Sequence, residues 1–284
     1  MRTVKKIHQP ESDPIQDLTT DRVIPTRSIQ HIDPFLFLNH HGPQEYPENN
    51  NGLPFGPHPH RGMETVTFIL DGDIAHFDSS GQKSVIKSGG VQWMTAGRGL
   101  IHSEVSSEEF KQKGGPLEIL QLWVNLPAKD KMCDPFYKGV QKELIPKIDL
   151  NDGQVNVNLV SGDWEGVKGP FQSGIGVHLS TIDFNPDSEL ELTIPKTRNV
   201  FFYLIRGKME VNGQLVEAKR LVEFVNDGSM IKVEALEQSM LLLGYAPPID
   251  EPVVSHGPFV MNTQEEIVKA YEDYKNGKFG SWSH

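Results

Sequence analysis

The sequence predicts an all-β protein of two tandem β-barrels, closed by one short C-terminal α-helix. Three observations carry this. Short runs rich in β-branched and aromatic residues recur between clusters of Gly, Asn, Asp and Pro. The two halves repeat one pattern of strands and turns. Convincing helical periodicity is confined to the last residues of the chain.

Taken in order, the strand signals are ETVTFIL (64–70), EILQLWVNL (118–126), VNVNLV (155–160), NVFFYLI (199–205), KMEV (208–211) and SMLLLGY (239–245). Asp71-Gly72-Asp73 and Ser80-Gly81 read as turns, and Asn212-Gly213 as a hairpin turn whose residues tolerate positive φ. Many short strands at such spacing suggest sandwiches or barrels. Residues 68–93 and 202–224 echo each other: a strand ending in a Gly turn, a short strand, another Gly turn, another strand. This predicts a duplicated barrel unit with its junction near Leu144-Ile145-Pro146, giving domains 1–143 and 144–284. At the C-terminus, Thr263 and Glu266 fit a capping box. Ile267, Ala270, Tyr271 and Tyr274 make one apolar stripe, and Gly277 ends it.

Composition narrows the function classes. The 284 residues carry 27 basic and 38 acidic side chains, a formal charge of −11. Such a chain repels phosphate backbones, so direct nucleic-acid binding is not expected. No apolar run approaches 20 residues and the N-terminal MRTVKKIHQPESDP has no apolar h-region, so no membrane association is expected and a cytoplasmic location is. Cys133 is the only cysteine, which excludes an intrachain disulfide, and it reads as an inert small apolar residue.

The chemistry concentrates in the first half. Residues i and i+2 of a strand project from one face, so His58 and His60 of FGPHPHRGME point together. His102 and Glu104 of TAGRGLIHSEV repeat the spacing among glycines 89, 90, 97 and 99. Two adjacent strands would thus offer three imidazoles and a carboxylate to one point. That donor set suits a divalent first-row metal such as Fe, Mn, Ni, Cu or Zn rather than Ca or Mg. On an octahedral ion it leaves two positions open, as chemistry requires. Glu64 shares the parity of His58 and His60 and reads as a rival ligand, as a partner of Arg61, or, in the preferred reading, as an acceptor for an imidazole N–H. His40 and His41 are expected to be structural or surface residues. His256 is expected to be a hydrogen-bonded packing residue. Phe55, Trp93 and Met94 are expected to line the barrel. Matching Gly72 to Gly207 aligns His58 and His60 with Thr193 and Pro195, and no histidine lies between His178 and His256. The second half is therefore expected to lack a comparable site.

The segments DPFLFLNHHGP (33–43), HPHRGMETVTFILDG (58–72), VQWMTAGRGLIHSE (91–104), LQLWVNLPAKDKM (120–132) and EPVVSHGPFVMNTQEEI (251–267) resemble the pirin family of the cupin superfamily, in order and through most of the chain. The resemblance implies two cupin barrels of the double-stranded β-helix, or jelly-roll, type, with an Fe2+ site only in the first. Carried over by position, its ligands are His58, His60, His102 and Glu104, whereas Glu64 is not a ligand. NHHGP departs from the acidic Asp-Glu-Phe type sequence common in the family, a change of charge that bears on substrate preference.

Two functions follow from the resemblance. In one, the protein resembles quercetin 2,3-dioxygenases, which open a flavonol ring with O2 and release carbon monoxide. Its partners are then a small planar aromatic substrate and O2, Glu104 is the catalytic base, and Phe55 and Trp93 could stack on the rings. In the other, it is an iron-dependent regulatory protein, a transcriptional cofactor or a regulator of metabolic enzymes, acting through a protein partner. A monomer is expected.

Overall fold

A computed structural model describes residues 1–282. The chain divides into two compact units, neither continuous in sequence. One comprises Ser12–Arg22, Phe35–Lys142 and Ile249 onward; the other comprises Met1–Glu11, Val23–Pro34 and Glu143–Pro248. One cut falls between Lys142 and Glu143, beside Leu144-Ile145-Pro146. The terminal segments, however, belong to the unit opposite to the one that the ranges 1–143 and 144–284 would assign.

Each unit contains the same eight strands, numbered here in chain order. The first has β1 (Phe35–Tyr46), β2 (Phe55–His60), β3 (Met63–Asp71), β4 (Asp73–Asp78), β5 (Lys83–Lys87), β6 (Val91–Thr95), β7 (Leu100–Val105) and β8 (Gly115–Asn125). The second has β9 (His178–Phe184), β10 (Glu189–Thr193), β11 (Asn199–Arg206), β12 (Lys208–Val211), β13 (Gln214–Glu217), β14 (Arg220–Phe224), β15 (Met230–Ala235) and β16 (Ser239–Ala246). The four-stranded sheets run β2-β7-β4-β5 and β10-β15-β12-β13, an identical order. The larger sheets share the core orders β6-β3-β8-β1 and β14-β11-β16-β9. One edge of each is formed by Phe136–Val140, which pairs with β6, and by Val4–His8, which pairs with β14.

Local sequence explains the elements. Alternation sorts side chains between lumen and outer face, and Asn212 and Gly213 take φ of 50° and 76°, as the hairpin between β12 and β13 requires. The second barrel's lumen is apolar, filled from Val157, Phe202, Val222, Ile231, Val233 and Leu243 among others.

Two α-helices occur among the described residues. The C-terminal one, α2 (Gln264–Lys275), has the expected capping box: Thr263 accepts from the Glu266 amide while Glu266 accepts from the Thr263 amide. Ile267 and Ala270 are buried, whereas Tyr274 is exposed. The other, α1 (Glu108–Lys113), was not anticipated; Ser107 caps it and accepts from the Phe110 amide. No described helix is long and apolar enough to cross a membrane.

Candidate metal centre

β2 lies at the edge of its sheet, which explains how it tolerates Pro57 and Pro59: each lacks an N–H that an interior ladder would need. It pairs with β7 so that His58 stands opposite His102 and His60 opposite Leu100. Expected parity therefore becomes geometry. The donor nitrogens of His58, His60 and His102 come within 4.8 Å of one another.

The state of the three rings follows from their surroundings. His60 and His102 are buried, and His58 is half-buried. Burial, reinforced by the neighbouring rings, pushes His60 down to about 3 and His102 well below the usual histidine range, so both are neutral at pH 7. His60 Nδ1 lies 3.2 Å from the Pro258 carbonyl and His58 Nδ1 lies 2.7 Å from the Gly56 carbonyl. A carbonyl only accepts, so both Nδ1 atoms carry a proton, and the neutral His60 ring presents a lone pair at Nε2. Nε2 of His60 and both nitrogens of His102 are buried with no hydrogen-bond partner. Three convergent imidazoles, two of them neutral and with unpartnered nitrogens, fit a divalent first-row metal.

Glu104 also sits on β7, across from Phe55 after a register shift that follows His102. Its carboxylate is not among the donors that close to within 4.8 Å. Thr67 Oγ1 donates to Oε1 at 2.9 Å, Gln121 Nε2 donates to Oε2 at 2.7 Å, and Gln92 Nε2 also donates to Oε1. A buried carboxylate is thereby held in one orientation beside the triad's strand.

The supporting residues divide. Phe55 lines the lumen with His41, Glu104 and Gln121, around a void of about 10 Å³, roughly one water in size. Glu64 does not share the histidines' face. Gly62, at φ 79°, separates β2 from β3 and breaks the parity between them. Glu64 instead accepts from the Thr95 hydroxyl at 2.7 Å, and burial pushes its carboxyl up. Nor does it pair with Arg61, whose guanidinium donates to Asp273 at 3.0 Å and to the Arg98 carbonyl at 2.7 Å. Trp93 alternates with Gln92, which points at Glu104, so the indole faces away from the lumen. His40 is buried against Glu118 at 2.9 Å, and His256 bonds the Tyr271 hydroxyl at 2.9 Å.

Sequence reasoning missed several residues. Trp123 stands edge-on to His60 at 5.3 Å and stacks on Phe37 at 4.5 Å. His76 is fully buried, bonded to Asp78 at 3.0 Å and stacked on Tyr137 at 3.7 Å, with its ring 5.5 Å from His102. Gln92, Gln121 and Thr67 complete the Glu104 cradle. The available signal was polarity at lumen-facing positions of apolar strands, as in ILQLW.

The second barrel provides an internal contrast. Strand pairing places Leu192, Ile194, Ile231 and Val233 where the first has His58, His60, His102 and Glu104. The expected counterparts Thr193 and Pro195 are one position off, because the segment from Ile194 to Phe202 is one residue longer than the equivalent segment from His60 to Thr67. The cradle is replaced too. Phe202, Val222 and Leu243 occupy the places of Thr67, Gln92 and Gln121. All seven are buried and apolar.

Comparison with known proteins agrees with this arrangement. Residues 17–124 match the Pirin family model, and residues 179–280 match that of the Pirin C-terminal cupin domain. The chain belongs to the pirin family. A pirin-like protein of Caulobacter vibrioides is 38% identical over 283 residues, covering 98% of this chain and 99% of the relative. A Pseudomonas aeruginosa protein provisionally named a quercetin 2,3-dioxygenase is 37% identical over 250 residues, covering 88% of this chain and 87% of its own. A crystal structure described as quercetin 2,3-dioxygenase from Acinetobacter baumannii superposes with a TM-score of 0.92 at 32% identity, covering 99% of both chains. The two domains of this pirin are thus cupin barrels, and among the described residues only the first carries the histidine cluster.

Proposed function

We propose that this pirin is a metal-dependent dioxygenase that opens the ring of quercetin-like flavonols with O2 and releases carbon monoxide. The observation that carries the reading is the convergence of three imidazoles beside a buried, oriented carboxylate. Glu104 would join His58, His60 and His102 as the fourth ligand, with Fe2+ the preferred ion and Ni, Mn, Cu or Zn the alternatives. Bound there, the ion supplies Lewis acidity toward the flavonol 3-hydroxyl and one-electron chemistry with O2.

The chain's own residues do the rest. Glu104 takes the proton of the 3-hydroxyl on a carboxylate oxygen, held in place by Gln92, Gln121 and Thr67. A void of about 10 Å³ excludes a ring system from the inner lumen. The flavonol therefore approaches from the side of half-buried His58, where Trp123 offers an aromatic surface beside His60. The lumen behind the triad, lined by Phe55, Ile74 and Ile119, keeps water away from the reacting ring.

The test is metal analysis of gently purified protein, followed by O2 uptake and carbon monoxide release with quercetin on the iron-loaded form. Turnover with one CO released per O2 consumed is expected. No turnover across several flavonols and related enediols would overturn the reading in favour of a metal-dependent regulatory protein.

A further inference from the structure

The second barrel has no metal-binding set, yet it is not featureless. A cleft of about 400 Å³ opens at residues 162–198 and 245, a volume suited to a small organic ligand. One wall is His178 stacked on Tyr245, ring centroids 4.3 Å apart and 9° from parallel. These residues pair across β9 and β16 as Phe37 pairs with Trp123 across β1 and β8. The second barrel thus keeps the stacked pair of the first but puts an imidazole in place of a benzene ring.

That substitution has a chemical consequence. His178 is 2% exposed, and its Nδ1 is buried with no hydrogen-bond partner. Burial, with Arg198 nearby, pushes its pKa down to about 4, so the ring is neutral at pH 7 and an unused nitrogen remains. An unsatisfied buried polar atom is costly unless something binds it. Gly162 lies in front of it. A Cβ at that position would stand 2.7 Å from Nδ1, so only a glycine lets the backbone pass this close to the ring.

Charge then selects the ligand. Arg198 and Lys168 line the cleft against one carboxylate, Asp163, which gives a local positive excess on a chain of charge −11. The Arg198 guanidinium spends one hydrogen bond on the Gly176 carbonyl, 2.8 Å away, and lies 5.9 Å from the Tyr245 ring. It has further N–H groups for a planar anion.

We propose that this cleft binds a small planar aromatic carboxylate: the ring lies along the His178–Tyr245 wall, the carboxylate meets Arg198 and Lys168, and a polar substituent meets His178. The site is independent of the metal centre.

The test is calorimetric titration of the metal-loaded full chain with salicylate, and with salicylamide as its neutral counterpart. Saturable salicylate binding is expected, weakened about tenfold or more in Arg198→Met, in Lys168→Met and in His178→Phe, the last of which keeps a stacked ring as at Phe37. Salicylamide should bind about tenfold more weakly than salicylate, and His58→Ala should leave salicylate binding unchanged. The Lys168 variant alters only an exposed side chain, so its loss of binding cannot be misfolding. No saturable binding up to about 10 mM salicylate would overturn the proposal. So would equal affinity for salicylamide, or binding lost in His58→Ala yet retained in Arg198→Met.

Discussion

At the scale of single residues, the three imidazoles were legible in the sequence because each i, i+2 pair lies within one uninterrupted strand. Glu64 was misjudged for the opposite reason: parity does not survive Gly62 at φ 79°. The Glu104 cradle was hidden because its members come from three strands, and no local spacing encodes their meeting. We expect Glu104→Ala to abolish flavonol turnover and weaken metal retention, measured by O2 uptake and metal content after dialysis. Gln121→Leu removes the donor to Oε2 while Thr67 and Gln92 still hold Oε1, so the carboxylate stays in place but is less firmly oriented. Its turnover should fall about 10–100-fold, the usual effect of removing a group that orients a metal ligand. Metal-free protein should also show a signature of its buried rings. Folding favours neutral His60 and His102, so their contribution is full above the free-histidine pKa near 6.5 and is lost as pH falls below it. Melting temperature should therefore drop below about pH 6.5. The drop should be shallower in a His60→Ile/His102→Ile variant, which takes the residues found at Ile194 and Ile231.

At the scale of elements, α2 and the strand before it fasten the first barrel. Arg61 reaches Asp273 on α2 and lies over Phe279 at 4.6 Å. Lys278, together with Arg61 and Lys269, holds the Asp273 carboxyl well below its usual range. That stabilisation is present above the ordinary aspartate pKa near 4 and fades as pH falls further. Lys131, buried, donates to the Gly62 carbonyl at 2.8 Å and the Val260 carbonyl at 3.1 Å, tying residues 259–261 to the turn after the histidines. The helix itself was readable from Thr263 and Glu266, since a capping box is a local motif. The docking was not, because Arg61 and Asp273 are 212 residues apart. Thr263→Ala should cost about 1 kcal/mol, seen in calorimetry as a melting point lower by about 2–4 °C. Arg61→Met should speed hydrogen exchange across 264–275 while leaving amides of the second barrel protected.

At the scale of the whole molecule, one strand plan supports two interiors. The duplication was visible in matched Gly turns, and the exact correspondence was lost only where one connection gained a residue. Because the second interior is apolar at every place equivalent to a metal-site or cradle residue, it cannot accept the first one's chemistry piecemeal. Val233→Glu would place a carboxylate among Phe202, Val222 and Leu243 with no donor to meet it. We expect a loss of several kcal/mol by urea unfolding and no gain of metal binding. The interleaving of terminal segments also orders the protein's manufacture. As the chain leaves the ribosome, all eight strands of the metal barrel emerge long before Pro258, whose carbonyl holds the His60 proton on Nδ1, and before Val260, whose amide donates to the Arg61 carbonyl at 3.0 Å. Nearly the whole second barrel is synthesised in between. A newborn chain stalled before residue 258 would carry the histidines without the group that sets the tautomer of one of them. That contact is therefore in place only once synthesis is almost complete, which makes the tautomer of His60 a property of the finished chain.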